Sequence, residues 1–293
     1  MSQHLPAAPA WFRFVQGTAV HLGIVDPRGP HWFDLGPVDV QAMLARGGLR
    51  SAHLRELMTE GTPMAAPVQW AVPVPRPGKI LCLAKNYVAH AREFGAEAPK
   101  EPIFFSKLPD TLLPHGGTVR IPFFHDGRVD HEAELALVLG FHDPEDKGRK
   151  YVPADRAGEL VAGFTLVNDV TARHLQGTDR EQKYPWLRSK SFDTFCPVGP
   201  FVVPADSFDG SDVMVTMRVN GVVKQQARTS AMVFTISRML EAMSWHTTLH
   251  SGDLVATGTP EGVGPIRPGD RLEVEVEGLG VLANDVAKEV APA

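Results

Sequence analysis

The chain is poor in the features that mark several large protein classes. It has two cysteines in 293 residues, Cys82 and Cys196, far apart and without a CxxC partner. That excludes a disulfide framework and a zinc ribbon, and it is the usage of a reducing compartment. Blocks of like charge are missing: 34 acidic against 29 basic residues leave a net charge of -5, which argues against a nucleic-acid stripe or a polybasic membrane patch. No apolar run reaches the roughly 20 residues that span a bilayer. The opening "MSQHLPAAPAWFRF" lacks the basic and then apolar segments of a secretory signal, so the expected location is cytoplasmic. There is no G-x-S-x-G elbow, no phosphate-binding G-x-x-x-x-G-K and no G-x-G-x-x-G after a strand.

What the chain does have is 27 glycines and 25 prolines, the composition of a turn-rich, β-rich fold rather than a helix bundle. Residues 1–75 read as a small N-terminal α/β module with its linker. "WFRFVQGTAVHLGIVD" predicts a hairpin about Gly17, and "DVQAMLARGG" a helix capped by Asp39 and stopped at Gly47-Gly48. A second helix is expected with Ser51 as its cap and Gly61 as its end. Prolines at 67, 73, 75 and 77 make a stiff connection. From residue 76 to 293 short strands alternate with turns. "PADRAGELVAG" is expected to form a helix ending at Gly163, and "SAMVFTISRMLEAMSW" a helix with a core-facing stripe beginning at Met232.

One strand stands out. In "VDHEAELALVLG", Glu132 and Glu134 fall two residues apart on one face, which continues with Ala136 and Val138, while Ala133, Leu135, Leu137 and Leu139 fill the other. Residues i and i+2 of a strand lie about 6.6 Å apart. At an effective dielectric near 20, two carboxylates at that separation repel by about 2 kcal/mol before any desolvation. "RLEVEVEG" is the internal control: Glu273, Glu275 and Glu277 share a polar face and stay wet. Glu132 and Glu134 have apolar company on both faces and need a counter-charge. A divalent cation supplies it, and hard oxygen ligands suit Mg²⁺ or Mn²⁺. Asp169, at the end of "GFTLVND", is the natural third ligand. A Glu-x-Glu pair alone is weak evidence of a metal, and "HEAEL" does not extend to a HExxH zinc motif, since Leu135 replaces the second histidine.

Seven segments then fall in order: "KILCLAKNYVAHARE", "PIFFSK", "VDHEAELALVLG", "GFTLVNDVTARHLQ", "KSFDTFCPVGP", "RVNGVVKQ" and "TLHSGDLVATGTPEGVGP". Together they resemble the successive motifs of the fumarylacetoacetate hydrolase family, metal-dependent enzymes that cleave carbon-carbon bonds in β-diketo acids. The resemblance runs from about Lys79 to Gly264. It implies a β-rich α+β fold, a mixed β-sandwich roll with the small N-terminal module attached, and assembly as a homodimer. It also implies that Glu132, Glu134 and Asp169 hold one Mg²⁺ or Mn²⁺ per subunit.

The same resemblance assigns further roles that chemistry supports. His90 and Glu93 in "HARE" are neighbours on a helical turn, where the carboxylate can orient the imidazole as a base for water. In isolation such a pair is more often an exposed helix contact. Gly95 would hinge this segment over the substrate. Arg173 and Gln176, with Lys190, would donate to a developing oxyanion. Thr257, Gly258 and Thr259 of "TGTP" would meet the substrate carboxylate, and Tyr87 and Lys107 would line the pocket. Cys196 reads as a buried structural thiol. The sequence departs from the family at His131, where tyrosine is common, and at His174, where an aspartate usually follows the arginine. Ala84-Lys85 replaces a glycine-containing pair and adds positive charge that suits a dicarboxylate.

The expected function is hydrolysis of an acylpyruvate-type keto acid, fumarylpyruvate- or fumarylacetoacetate-like. His90, oriented by Glu93, would activate water against the distal carbonyl, and a pyruvate enolate would leave. The same site suits two alternatives, an oxaloacetate-type decarboxylase or a 2-hydroxydienoate isomerase. A third, from another class, is a keto-acid sensor without turnover, which would have no use for the His90 base. Neither nucleic acid nor membrane is an expected partner.

Overall fold

The computed structural model describes residues 5–29, 31–93, 97–143, 145 and 147–292. Among them the hydrophobic pattern resolves into a β-rich α+β fold with mixed sheets. The larger sheet is 11-stranded, with Trp70–Ala71 paired to Ala10–Gln16 off the main path. Its path runs from Thr62–Met64 through His31–Asp34, Ala19–Asp26 and Ala10–Gln16 to Phe201–Pro204 and Val161–Asn168. It continues through Ala133–Leu139, Leu254–Ala256 and Ile80–Ala84 to Ile103–Lys107. Only Leu254–Ala256 and Ile80–Ala84 run parallel on this path. The 5-stranded sheet orders Val222–Arg228, Met214–Val219, Arg271–Val276, Gly280–Lys288 and Thr118–Ile121.

Ala133–Leu139 is the central strand, and both of its faces are covered. Leu135, Leu137 and Leu139 pack into one core with Val215, Met217, Leu272 and Val274 of the smaller sheet. Ala136 and Val138 pack into a second core with Cys82, Ala256 and the helix residues Leu44 and Leu54. Each fully buried leucine contributes roughly 1.5–3 kcal/mol, so the strand is held rigidly where its acidic end projects. The first four strands of the chain continue the same sheet, because Trp11 and Phe12 pair with Val202 and Phe201.

Local signals place the N-terminal elements well. Ala10–Gln16 and Ala19–Asp26 form the antiparallel hairpin about Gly17. Asp39 caps the helix Val40–Leu44, accepting the Gln41 and Ala42 N–H groups at 3.0 and 3.1 Å. Gly48 lies at φ +71°, and a Cβ there would meet the Ala162 Cβ at 2.7 Å, so the stop also lets the helix approach the sheet.

Three expectations are corrected. Ser51 is the first residue of the helix Ser51–Glu60 and caps nothing. Its own N–H and hydroxyl both donate to Asp206, each at 3.0 Å, so the capping carboxylate comes from 155 residues away. Within "PADRAGELVAG" only Ala157–Leu160 winds, as a 3-10 turn, and Val161–Asn168 is strand. Gly163 and Phe164 complete ladders on both sides, with Val138 and Leu137 and with Pro204 and Val203, and two ladders outweigh local helix propensity. The helix expected from Met232 starts at Ile236, capped by Thr235, because Met232 bridges to Tyr87 instead. No helix among the described residues is long and apolar enough to cross a membrane.

The long-range cap gives a test of how the N-terminal helices are held. Asp206→Ala is expected to cost about 1 kcal/mol, as loss of a helix cap does, read as a lower urea midpoint at unchanged m value.

Candidate active site

The acidic end of the central strand is built by register. Ala133 pairs with Asn168, which sets Asp169 opposite Glu132. The Asp169 N–H donates to the Glu132 carbonyl at 2.8 Å, and the Asn168 side-chain oxygen accepts the Glu132 N–H at 2.9 Å. One carboxylate oxygen from each of Glu132, Glu134 and Asp169 therefore lies within 4.8 Å of the others. All three side chains are buried.

Cations offset most of this charge. Lys190, ending the short helix Leu187–Lys190, donates to Glu132 at 3.0 Å and also to Asp169. Lys107, ending the strand Ile103–Lys107, donates to Asp169 at 2.7 Å and to the Val170 carbonyl at 3.0 Å. Arg173 donates to Glu132, which also accepts the Thr171 hydroxyl at 2.9 Å. Burial alone would raise the Glu132 carboxyl, but Lys190, Arg173 and His90 outweigh it and hold the group below the usual range. Burial likewise works against the Lys190 ammonium, and Asp169 and Glu132 overcome it, keeping the lysine charged.

Glu134 is different. No lysine or arginine among the described residues forms an ion pair with it. The Gly258 N–H donates to it at 2.7 Å. Burial, then Asp169 and Glu132, push its carboxyl well above the usual range. Three hard oxygen donors with one left uncompensated fit a divalent cation such as Mg²⁺ or Mn²⁺. The Lys190 ammonium already bridges two of the three.

His90 and Glu93 lie on the helix Val88–Glu93, with His90 Nδ1 3.1 Å from the Glu93 carboxylate. That carboxylate also accepts the Gly262 N–H at 3.3 Å, which ties the helix to the turn after "TGTP". Gly95, the expected hinge, lies outside the described residues. A pocket of about 270 Å³ brings together His90, Glu132, Arg173, Gln176, Lys190 and Thr259 on its wall. Tyr87, Lys107, Thr257 and Gly258 are not part of that wall. The Thr257 hydroxyl donates to the Leu135 carbonyl and the Thr259 hydroxyl to that of Ala133, each at 2.9 Å, so "TGTP" is bonded along the central strand. Tyr87 is buried, its hydroxyl has no hydrogen-bond partner among the described residues, and burial, then Glu134 and Glu261, raise its pKa. Cys196 is fully buried, and desolvation pushes its thiol up to about 12, as befits a structural residue.

Several residues of the site escaped the sequence reading. Asp130 accepts Arg173 Nε at 2.8 Å and Arg128 Nε at 2.6 Å. It anchors the Arg173 guanidinium to the acidic strand. Asp130, Glu132 and Glu134 share one parity, and that alternation was the available signal. Gln225 holds His131 Nδ1 at 3.0 Å and donates to Thr259 at 2.8 Å. Burial comes first in lowering the His131 pKa. Phe105, Arg180 and Trp186 also line the pocket and carried no local signal.

The fumarylacetoacetate (FAA) hydrolase C-terminal family model matches residues 79–287, and the chain belongs to that family. Its relatives span several reactions. An oxaloacetate tautomerase, FAHD2A, of Bos taurus mitochondria is 37% identical over 284 residues, 91% of this chain and 87% of the relative. The structure of 5-carboxymethyl-2-hydroxymuconate delta-isomerase from Mycobacterium smegmatis aligns at TM-score 0.76 with 34% identity, covering 96% of this chain and 100% of that one. Maleylpyruvate hydrolase from Sphingobium sp. SYK-6, solved with manganese (II) ion and pyruvate, aligns at TM-score 0.77 with 30% identity, covering 96% and 100%.

The opposed shifts at Glu132 and Glu134 make pH a probe of the centre. Glu134 is an ordinary glutamate when unfolded and has a raised pKa when folded. Between those values the folded state binds the extra proton, so metal-free stability falls as pH rises through the window. Glu132 has the opposite sign: its contribution is present above the ordinary range and lost on acidification. Metal-free Glu134→Gln is expected to melt above the wild type at pH 8. Mn²⁺ at 100 times Kd should stabilise the wild type by about 2.7 kcal/mol and leave the variant unchanged, both read by thermal melts.

Proposed function

We propose that the chain hydrolyses a carbon-carbon bond in an acylpyruvate-type β-diketo acid, with one Mg²⁺ or Mn²⁺ held by Glu132, Glu134 and Asp169. The observation that carries this reading is the His90–Glu93 pair at 3.1 Å, with His90 lining the same pocket as Glu132 and Arg173. A bound divalent cation would supply Lewis acidity toward the α-keto acid end of the substrate. The chain's own groups do the rest.

With Nδ1–H donating to Glu93, His90 carries its lone pair on Nε2. That nitrogen takes a proton from water as the oxygen adds to the distal carbonyl. Arg173 fixes the Gln176 side-chain oxygen at 2.6 Å, which leaves the Gln176 amide N–H groups as donors to the oxyanion. Collapse of the adduct breaks the carbon-carbon bond, releases the acyl group as a carboxylic acid and leaves the pyruvate enolate. The enolate carbon is protonated by His90, which restores the base and balances the proton. Glu93 keeps the imidazole in one tautomer and stabilises it while charged.

A second reading is keto–enol tautomerisation of an oxaloacetate-like acid, supported by the 37% identity to the Bos taurus tautomerase over 91% of this chain. It uses His90 to move a proton between carbon and oxygen and needs no water attack.

A screen of acetylpyruvate, fumarylpyruvate and oxaloacetate with Mg²⁺, following enol absorbance and product carboxylic acid, separates the two. Hydrolysis is expected. Absence of acid product alongside rapid oxaloacetate tautomerisation favours the second reading. His90→Ala is expected to lower kcat for hydrolysis by about 10²–10⁴-fold, the usual loss on removing a general base, with Mn²⁺ affinity retained in calorimetry. Hydrolysis at the wild-type rate in that variant rules out the dyad mechanism.

A further inference from the structure

The strand Val222–Arg228 is an edge of the smaller sheet, yet one of its side chains reaches the acidic strand of the larger one. Gln225 is buried. Its Oε1 accepts the Ala133 N–H at 3.1 Å and lies 3.0 Å from His131 Nδ1. Its Nε2 donates to the Thr259 hydroxyl and to the Pro260 carbonyl, each at 2.8 Å. A backbone N–H can only donate and a backbone carbonyl can only accept, so Ala133 and Pro260 fix which way the amide points. All four of its hydrogen-bonding positions are then filled.

That orientation settles the protons around it. The Thr259 hydroxyl accepts from Gln225, so its own proton goes to the Ala133 carbonyl at 2.9 Å. Two residues earlier, the Thr257 N–H and hydroxyl both donate to the Leu135 carbonyl, at 3.1 and 2.9 Å. At Thr259 the hydroxyl alone makes the corresponding bond. The chain has turned at Gly258, where φ is +95°, and the Thr259 N–H has no hydrogen-bond partner among the described residues. Thr259 lines the pocket together with Glu132 and His90, so the residue of the turn that meets the pocket keeps one donor unspent. The same strand also meets the far end of the turn. A Cβ on Gly262 would lie 2.3 Å from the Lys224 carbonyl oxygen, and the Gly262 N–H donates to Glu93, the partner of His90.

We propose that Gln225 is a positioning residue for the pocket: it ties the turn at 259–262 to the acidic strand so that the Thr259 N–H is left for an oxygen of the bound acid. This rests on the reading that an α-keto acid binds at the triad. Gln225 is not on the pocket wall, and its effect on a ligand passes through Thr259. The amide does in one side chain what a further strand would do for the ladder, but it spends the hydroxyl and spares the backbone donor.

Calorimetric titration with Mn²⁺, and then of the Mn²⁺-loaded protein with pyruvate, compares the wild type with Gln225→Met, Thr259→Val and the double variant. Methionine is close to glutamine in length without the amide, and valine is close to threonine in shape without the hydroxyl. Each single substitution is expected to weaken pyruvate about 3- to 10-fold, the range for one neutral hydrogen bond. Mn²⁺ affinity is expected to stay within about twofold, because Lys107, Lys190 and Arg173 still hold the acidic groups. The double variant is expected to bind pyruvate about as well as the weaker single one, whereas independent lesions multiply. Multiplied losses, wild-type pyruvate affinity in Gln225→Met, or a Mn²⁺ affinity that falls as far as the pyruvate affinity overturns the role. Where Gln225→Met does not fold, Gln225→Glu, which keeps both acceptor bonds, is titrated in its place with the same outcomes. No pyruvate binding by the wild type overturns the role and the keto-acid site together. Fumarylpyruvate turnover in the same preparations reads the hydrolase separately: the expected pyruvate pattern without hydrolysis overturns the hydrolase and leaves Gln225 in its role.

Discussion

Three buried carboxylates converging on one point are the constraint from which the rest of the molecule follows. Bringing them within 4.8 Å of one another in a low-dielectric interior is strongly unfavourable unless cations are supplied at the same place. The fold delivers those cations from three separate elements. Lys107 arrives at the end of an edge strand, Lys190 at the end of a short helix, and Arg173 at the start of another. Each must be in register for the central strand to be stable where it is.

The cations are not equivalent. Lys107 is held twice, by Asp169 and by the Val170 carbonyl, and lies off the pocket wall. It acts as a fixed counter-charge that aims one oxygen of Asp169. Lys190 donates to two carboxylates, Glu132 and Asp169, and lines the pocket. Arg173 is braced by Asp130 on one side and grips Gln176 on the other. In this way one network of charged and polar groups ties the pocket wall to the central strand.

Rigidity around the site comes from hydrogen bonds that tie its loops to one another and to the central strand. The "TGTP" hydroxyls run along the central strand, Gln225 ties His131 to Thr259, and Glu93 reaches from His90 to Gly262. Positioning of this kind is worth as much to a catalyst as the reacting groups themselves.

The sequence by itself determined the elements whose signals are local or periodic. Apolar residues on both faces marked Ala133–Leu139 as buried, with Glu132 and Glu134 out of place, whereas the His90–Glu93 spacing gained meaning only from the family resemblance of the motifs around it. Asp39 caps its helix with its carboxylate as the sequence led us to expect, and Gly61 ends the next one in an extended conformation. Tertiary structure decided what depends on residues distant in the chain. Asp206 caps the helix at Ser51, two flanking ladders turn Val161–Asn168 into strand, and Asp130 braces Arg173 from 43 residues away. Which cation meets which carboxylate was equally invisible, because an ion pair is set by three-dimensional distance and burial, and residues 132, 169 and 190 become neighbours only once the strands are in register.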